Sequence, residues 1–318
     1  MCYLKKILLS IAFLWAVVLP QILFSQSAGQ GTQTQDTPSQ TAPLPNGMQR
    51  LNVPGIENLI QVTESIYSGG EPTSAGLEHL QALGVKILVS VDGLSPDRET
   101  AEKLGMRYVH IPMGYDGIDT VQLQDFITLM TQQQNKIFFH CHHGKHRGPA
   151  AVAACLLIAK KVSKEQAIQF MRGAGTAKEY GGLYRSIHEL DISAYQPQEF
   201  SQLLKKSHAK SMAQWMAELD RAWEIVQEQQ KTAEAEIDTD QLTIIAEAFR
   251  ESARAVGKDK EIYGDSSATE KLIRWLSECE KETRHIQGQV QTKAHQKARA
   301  LVEALAKRCA DCHTKYRN

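Results

Sequence analysis

The chain has 318 residues, and its 36 basic and 36 acidic side chains give a formal charge of zero. That length is sufficient for two domains of ordinary size. The charge balance argues against a protein that binds nucleic acid or coats an anionic membrane, because both tasks favour a clear basic excess.

Residues 1–27 have the pattern of a secretory signal peptide. Two lysines precede an apolar run from Ile7 to Leu19, and Ser25-Gln26-Ser27 offers small residues at a cleavage site. An uncleaved anchor is the alternative, although the run is short for a membrane span and Pro20 interrupts it. Residues 28–47 are rich in Gln, Thr, Ser and Pro and predict a disordered linker. We therefore expect an exported protein, in the periplasm or on the outer face of the cytoplasmic membrane.

The first domain, residues 48–196, alternates strands with helices. We predict strands within 64–72, 85–91, 107–111 and 137–139. Helices are predicted at 75–83, 100–104, 121–133 and 150–158. This alternation predicts an α/β fold, a mostly parallel sheet flanked by helices, in which ligands bind at the carboxyl ends of the strands.

The loop between the last of these strands and the following apolar helix has the composition of an anion site. It reads His140-Cys141-His142-His143-Gly144-Lys145-His146-Arg147-Gly148-Pro149. A strand end followed by a helix N-terminus directs backbone N–H groups and the positive end of the helix dipole at one point. This field favours the nucleophilic thiolate of Cys141, while Arg147 can donate to two phosphate oxygens at once. Gly144 allows the backbone to approach a ligand closely.

This loop resembles the HCxxGxxR loop of cysteine-dependent protein tyrosine phosphatases, most closely the dual-specificity type. His140, Cys141, Gly144 and Arg147 occupy its fixed positions. The resemblance implies a phosphomonoesterase in which Cys141 forms a phosphocysteine intermediate and Arg147 holds the phosphate. In the family, a Ser or Thr after the arginine helps the thiolate to depart, and here that position is Gly148. We therefore expect a slow second step.

The resemblance also implies a general acid in the loop after the strand 107–111. Asp116 occupies the matching place, and Asp119, three residues later, is the rival. The alternative for either residue is a turn aspartate, which is common beside glycine.

The side chains of the loop itself are unusually basic. His142, His143 and His146 are expected to be partly protonated near an unperturbed pKa of about 6.5, and Lys145 adds a charge. Together with Gly144 they would form a substrate-binding pocket for more than one phosphate, as in an inositol phosphate. The family's inositol-lipid phosphatases carry a lysine at this place. The alternative is that these side chains point outward into solvent, which leaves a phosphorylated protein as the other substrate class.

From residue 199 to the end, only helical patterns are present. We predict helices at 207–230, 240–256, 268–287 and 289–314, with glycines at the breaks. One face of the first helix is apolar, and its members are Met212, Trp215, Met216, Leu219, Trp223 and Val226. Short connections between amphipathic helices predict an antiparallel four-helix bundle over residues 199–318.

The last helix ends in Cys309-Ala310-Asp311-Cys312-His313, the C-x-x-C-H signature of covalent c-type haem attachment. This terminal placement, with Arg317 four residues after the histidine, resembles the cytochrome c-prime group of class II c-type cytochromes. The resemblance implies haem c held by Cys309 and Cys312, with His313 as the proximal iron ligand. A redox-active dithiol is the alternative, but that version belongs with a βαβ unit.

The distal side of the haem is left open by the sequence. Met212 and Met216 lie one turn apart on the inward face, and either would give low-spin iron suited to an electron donor or acceptor. If both only fill the core, the iron is five-coordinate and its pocket suits a small gas. We prefer five-coordinate iron, and His208 is a weaker candidate ligand. A homodimer through the helical bundle is a further expected partner.

The sequence thus predicts an exported phosphatase fused to a haem domain. The alternative is an electron-transfer or gas-binding haem protein whose first domain only binds a phosphorylated ligand. Two hypotheses connect the domains: the haem state controls the phosphatase, or haem-borne electrons keep Cys141 reduced.

Overall fold

The computed structural model describes residues 42–193, 195–205, 209–232, 236–258 and 266–316. The predicted signal peptide, residues 28–41 of the predicted linker, and His208 lie outside the described residues. Within the described ranges, every helix is either too short or too polar to cross a membrane.

A six-stranded mixed sheet forms the centre of the first region. Its strands are β1 (Gln49–Arg50), β2 (Ile60–Gln61), β3 (Ile66–Gly69), β4 (Val85–Ser90), β5 (Arg107–His110) and β6 (Lys136–His140), in the order β1-β2-β3-β6-β4-β5. The pairings of β1, β2 and β3 are antiparallel, and β3, β6, β4 and β5 run parallel. His140 lies opposite both Gly69 and Ser90, so β3, β4 and β6 end at one edge of the sheet. The residue after β6 is Cys141, which therefore begins at this edge.

Helices cover both faces of the sheet because its central strands are apolar on both sides. In β6, Ile137 and Phe139 join one hydrophobic core while Phe138 joins the other, as the alternation of a strand requires. The helices of this region are α1 (Ser74–Ala82), α2 (Arg98–Lys103), α3 (Thr120–Gln132), α4 (Arg147–Ile158), α5 (Lys164–Ala174), α6 (Gly181–His188) and α7 (Phe200–Lys205).

Helix α4 begins three residues earlier than the sequence predicts. It was expected from Ala150, and it starts at Arg147, with Gly148 and Pro149 in its first turn. Proline is compatible with the first turn because the backbone N–H groups there have no partner within the helix. Arg147 is therefore fixed in the first turn of the helix and not in a flexible loop.

Four longer helices form the second region, α8 (Met212–Gln230), α9 (Thr239–Lys258), α10 (Ser266–Gln291) and α11 (His295–Tyr316). Consecutive helices of this set pack against each other. The expected break at Gly288 is wrong: α10 continues through this glycine, and the turn falls at 292–294, where Lys293 has a positive φ of 60°. A glycine inside a helix costs only about 1 kcal/mol, and the buried Val290 after it holds the last turn in place.

The two regions share one hydrophobic core. Its largest cluster includes Met113 and Tyr115 of the α/β region together with Leu219 and Val226 of α8. The division at residues 196–199 remains a prediction from the sequence, because the described residues belong to one packed unit.

Candidate active site and helical cavity

Cys141 and Arg147 lie at the two ends of the loop between β6 and α4, and both are buried, with 3% and 1% of their surfaces exposed. Gly148, in the first turn of α4, faces the cysteine closely: a Cβ there would lie 3.6 Å from Cys141 Sγ and 3.4 Å from its backbone nitrogen. The thiol is therefore held against the N-terminus of α4, where the helix dipole favours negative charge.

Gly144 gives the loop its shape. Its φ is +66°, and a Cβ there would lie 2.2 Å from the carbonyl carbon of Gly69 and 2.4 Å from the nitrogen of Gly70. A side chain would collide with the end of β3, so only glycine fits this close approach. The loop is thus fixed against the same sheet edge from which Cys141 begins.

The Arg147 guanidinium is held by the chain segments that surround the loop. Its Nη1 lies 3.5 Å from the carbonyl oxygen of Met113, and the ring of Tyr115 lies 4.5 Å beneath it. Its Nη2 donates to Glu251 Oε1 at 2.8 Å and lies 3.4 Å from Asp92 Oδ2. Its Nε is buried and has no hydrogen-bond partner within the described residues. Because these contacts fix the rest of the guanidinium, they also fix the direction of the unpaired Nε–H group.

Asp92 follows β4 and completes a buried charge network. Arg254 of α9 donates to Asp92 Oδ1 at 3.0 Å and to Glu251 Oε2 at 2.7 Å. Burial alone would raise the pKa of Asp92, but the charges of Arg147 and Arg254 outweigh it and hold that pKa well below its usual value. Asp92 is therefore ionised at neutral pH and unsuited to the role of a general acid. No motif in the sequence singles out Asp92, Glu251 or Arg254.

The structure distinguishes the two candidate acids by their surroundings. Asp119 caps α3: its side chain accepts from Gln122 N at 2.8 Å, and the Gln122 side chain accepts from Asp119 N at 2.9 Å. Asp116 is exposed, and its loop is held to α6, where Ser186 Oγ accepts from Ile118 N at 2.8 Å. The carboxylate of Asp119 therefore has a structural task, and Asp116 stays the predicted acid.

The basic side chains of the loop contact carboxylates around its rim. Lys145 Nζ and His143 Nδ1 lie 3.0 and 3.1 Å from the carboxylate of Glu57. His142 Nδ1 lies 3.5 Å from Glu71 Oε2. These contacts direct the three side chains toward carboxylates on the rim, as in the alternative in which they point outward into solvent.

His146 differs from the histidines on the rim. Its ring stacks on Tyr180, with centroids 3.9 Å apart. Burial lowers the pKa of His146 to about 3, so the side chain is neutral at pH 7 and the expected partial charge is wrong. His140, whose ring is also buried, has its pKa lowered to about 4 by burial.

A second site lies among the four long helices. A cavity of about 620 Å³, within the size range of small-molecule sites, is lined by residues from α8, α9, α10 and α11. Its members are Met212, Ala213, Met216, Ala217, Leu219, Asp220, Trp223, Phe249, Trp275, Leu276, Cys279, Cys309, Ala310, Cys312 and His313. The three residues of the C-terminal motif therefore meet both candidate methionines at one cavity.

The thiols at this cavity are free, and burial raises their pKa values. The pKa of Cys309 is raised to about 11, and that of Cys312 is also raised. A redox-active dithiol needs a stabilised thiolate, so these surroundings disfavour that alternative. Trp275 Nε1 is buried at the cavity and has no partner among the described residues.

Within the α/β region, a cysteine at the end of a central parallel strand, a glycine loop and a buried arginine in the next helix form the arrangement of a cysteine-dependent phosphatase. No protein-family model matches the sequence, and no curated protein matches it. Solved structures do match the N-terminal half of the chain.

One similar structure is TpbA of P. aeruginosa, at 20% identity and a TM-score of 0.38, covering 43% of this chain and 91% of that one. A variant of TpbA in complex with pTyr is similar at 19% identity and a TM-score of 0.36, covering 48% and 100%. The core catalytic domain of the PP-IP phosphatase SIW14 from S. cerevisiae, in complex with citrate, is similar at 19% identity and a TM-score of 0.40, covering 45% and 91%. At these identities the likeness concerns the fold.

Proposed function

We propose that the protein is a phosphomonoesterase of the dual-specificity type that acts through a phosphocysteine. The observation that carries this proposal is the placement of Cys141 against the N-terminus of α4, six residues before the buried Arg147. The Cys141 thiolate attacks phosphorus while Arg147 and the loop N–H groups hold the oxygens that gain charge. Asp116 protonates the leaving oxygen and then activates the water that hydrolyses the phosphocysteine.

The substrate class is a phosphorylated protein or an inositol phosphate. Because the carboxylate of Glu57 pairs with Lys145 and also lies beside His143, it offsets one positive charge that the rim could otherwise offer to a second phosphate. This pairing favours a substrate with a single phosphate, such as a phosphorylated side chain. A comparison of turnover on phosphopeptides and on inositol phosphates measures this preference.

Hydrolysis of p-nitrophenyl phosphate by the full chain tests the proposed activity. Cys141→Ser should abolish turnover and keep tungstate binding, because Arg147 and the backbone donors remain. Cys155→Ala is the matched control: this thiol is buried in the core side of α4 and should be dispensable for turnover. Turnover that survives in Cys141→Ser contradicts the mechanism. Tungstate binding without any turnover in the wild-type protein favours the alternative of a domain that only binds phosphorylated ligands.

We further propose that the helical region is a four-helix bundle that binds haem c at its cavity. The residues present fit the group: Cys309 and Cys312 would form the thioethers, His313 would be the proximal ligand, and the remaining lining is mostly apolar. The unpaired Trp275 Nε1 offers a donor to an acceptor bound there. Haem at this site would supply one-electron transfer or gas binding. Attachment of this kind is formed outside the cytoplasm in bacteria, which accords with the proposed export.

Retention of haem after denaturation and acid–organic extraction tests this attachment. The protein, produced in a host that matures c-type cytochromes, should keep its haem, and Cys309→Ala with Cys312→Ala should lose it. Cys279→Ala is the matched control, since Cys279 lines the same cavity but lies outside the motif. Equal retention in all three proteins would exclude thioether attachment.

A further inference from the structure

The contact between Arg147 and Glu251 joins the loop of the α/β region to α9, and the two residues lie 104 positions apart in the chain. Arg147 Nη2 donates to Glu251 Oε1 at 2.8 Å, and the two side chains are 1% and 0% exposed. A carboxylate presents two oxygens to a guanidinium in much the same way as a phosphate does. Glu251 therefore binds the group that, in the proposed reaction, must hold the substrate.

The contact belongs to a connected set of charged side chains that also includes Arg250, whose Nη2 lies 3.5 Å from Glu251 Oε1. Glu251 is shared between Arg147 and Arg254, and Asp92 lies between the same two arginines. Displacement of the Glu251 carboxylate leaves Arg147 Nη2 with Asp92 Oδ2, at 3.4 Å, as its remaining carboxylate partner, and removing one member of a buried ion pair is costly unless another anion replaces it. An incoming phosphate carries the charge that such a replacement requires.

Other contacts of α8 and α9 surround the same loop. The indole of Trp215, in α8, packs on Gly93, where a Cβ would lie 2.1 Å from it. Arg250 Nη2 donates to the hydroxyl of Tyr115 at 2.6 Å, and the hydroxyl of Tyr180 donates to Glu247 Oε1 at 2.7 Å. The segments after β4, after β5 and before α6 are thus all covered by the helical region.

We propose that α9 is an internal inhibitor of the phosphatase site, in which Glu251 competes with substrate phosphate for Arg147. The proposal rests on the proposed function of this site and adds its regulation. In the described arrangement Glu251 holds Arg147 Nη2, and a phosphorylated substrate binds this nitrogen only by displacing the Glu251 carboxylate. Any influence that shifts α9 away from the loop relieves this competition.

Calorimetric titration of the full chain with inorganic phosphate tests the proposal without requiring turnover. Glu251→Gln removes the competing charge, and we expect phosphate affinity to rise on the order of tenfold, the worth of one charge-assisted hydrogen bond. Glu251→Asp, which keeps the charge but shortens the side chain, should raise the affinity in the same direction and serves if Glu251→Gln does not fold.

Glu247→Gln is the matched control for general loosening of α9. Glu247 lies one turn before Glu251, is equally buried and pairs with Arg250 and Arg284 but not with Arg147. Its substitution should leave phosphate affinity unchanged. An equal rise in Glu247→Gln, or no rise in either Glu251 variant, overturns the proposal. Tighter phosphate binding in the Glu251 variants with no hydrolysis by any protein supports the inhibitor and excludes the phosphatase function.

Discussion

The loop between β6 and α4 and the cavity among the four long helices are formed in different ways. The loop is a run of consecutive residues whose backbone is fixed by Gly144 against β3, and the charged groups beside it are ion-paired. The cavity is assembled from four helices by apolar side chains, and its reactive groups come from one helix end. A site like the loop is sensitive to substitution of any one of a few residues, whereas a site like the cavity tolerates substitution of most of its lining residues. Substitutions in the two regions should therefore differ in the size of their effects.

After the loss of turnover expected for Cys141→Ser, the largest effect in the loop region is expected at Asp116. Asp116→Asn removes the proposed acid, and turnover of alkyl phosphates should fall by about 10²–10⁴-fold, the usual worth of a general acid. Turnover of p-nitrophenyl phosphate should fall much less, because its leaving group needs little protonation. The basic limb of the pH–rate profile should also disappear.

Asp119→Asn is the control for this prediction, since asparagine preserves the side-chain oxygen that caps α3. Its turnover and stability should stay close to those of the wild-type protein. If Asp119→Asn instead shows the selective loss on alkyl phosphates, the acid lies three residues further along the loop.

A smaller effect is expected at Gly148. The missing hydroxyl should make hydrolysis of the phosphocysteine slow, so a burst of p-nitrophenol should precede the steady state. A Cβ at this position meets Cys141 only at ordinary contact distances of 3.4 and 3.6 Å, so a serine fits and places its hydroxyl beside Sγ. Gly148→Ser should raise the steady-state rate several-fold, a change on the order of 1 kcal/mol in the barrier.

Gly148→Ala separates the hydroxyl from the added bulk. It carries the same Cβ and should leave the burst and the steady state unchanged. A protein without a burst, or an equal gain in both variants, would show that the hydroxyl has no part in the second step.

The smallest effect is expected in the cavity. Met212 and Met216 both line it, and in five-coordinate iron neither is a ligand. Met212→Ala and Met216→Ala should therefore leave the high-spin optical spectrum of the reduced protein unchanged. Sharp low-spin bands in the wild-type protein that vanish in one variant would identify that methionine as the distal ligand. Such a result would also contradict the expected difference between the two regions, because one side chain that lines the cavity would then be as critical as a loop residue.

Local sequence carried most of the information about the loop, and much less about what covers it. Cys141, Gly144 and Arg147 form one short motif, and the predicted strand at 85–91 agrees with β4 to within one residue. Glu251 lies far from this motif, and its neighbours on α9 alternate acids and bases at helical spacing, which is typical of a solvated face. The structure buries Glu247 and Glu251 completely because the arginines beside them supply their counter-charges. Only tertiary contacts distinguish a solvated helix face from a buried face whose charges are paired.

Glycine alone did not mark every helix end in the helical region. Gly288 is predicted to separate two helices and lies inside α10, whereas Gly257 is the second-last residue of α9 and lies close to the predicted end of that helix. The start of α8 also differs from the prediction. The helix is predicted from residue 207, but it begins at Met212 because Ser211 and Gln214 form a capping box there. Packing of the apolar faces outweighs the modest local cost of a glycine.

Helix α9 presents Phe249 to the cavity and Glu251 to Arg147. Two residues apart, these side chains point about 200° away from each other around the helix. If a ligand in the cavity shifts α9 and changes the affinity for phosphate by some factor, thermodynamic reciprocity requires phosphate to change the affinity for that ligand by the same factor. Titration of the cavity ligand in the presence and absence of phosphate would then measure how strongly the cavity is coupled to the contact between Glu251 and Arg147.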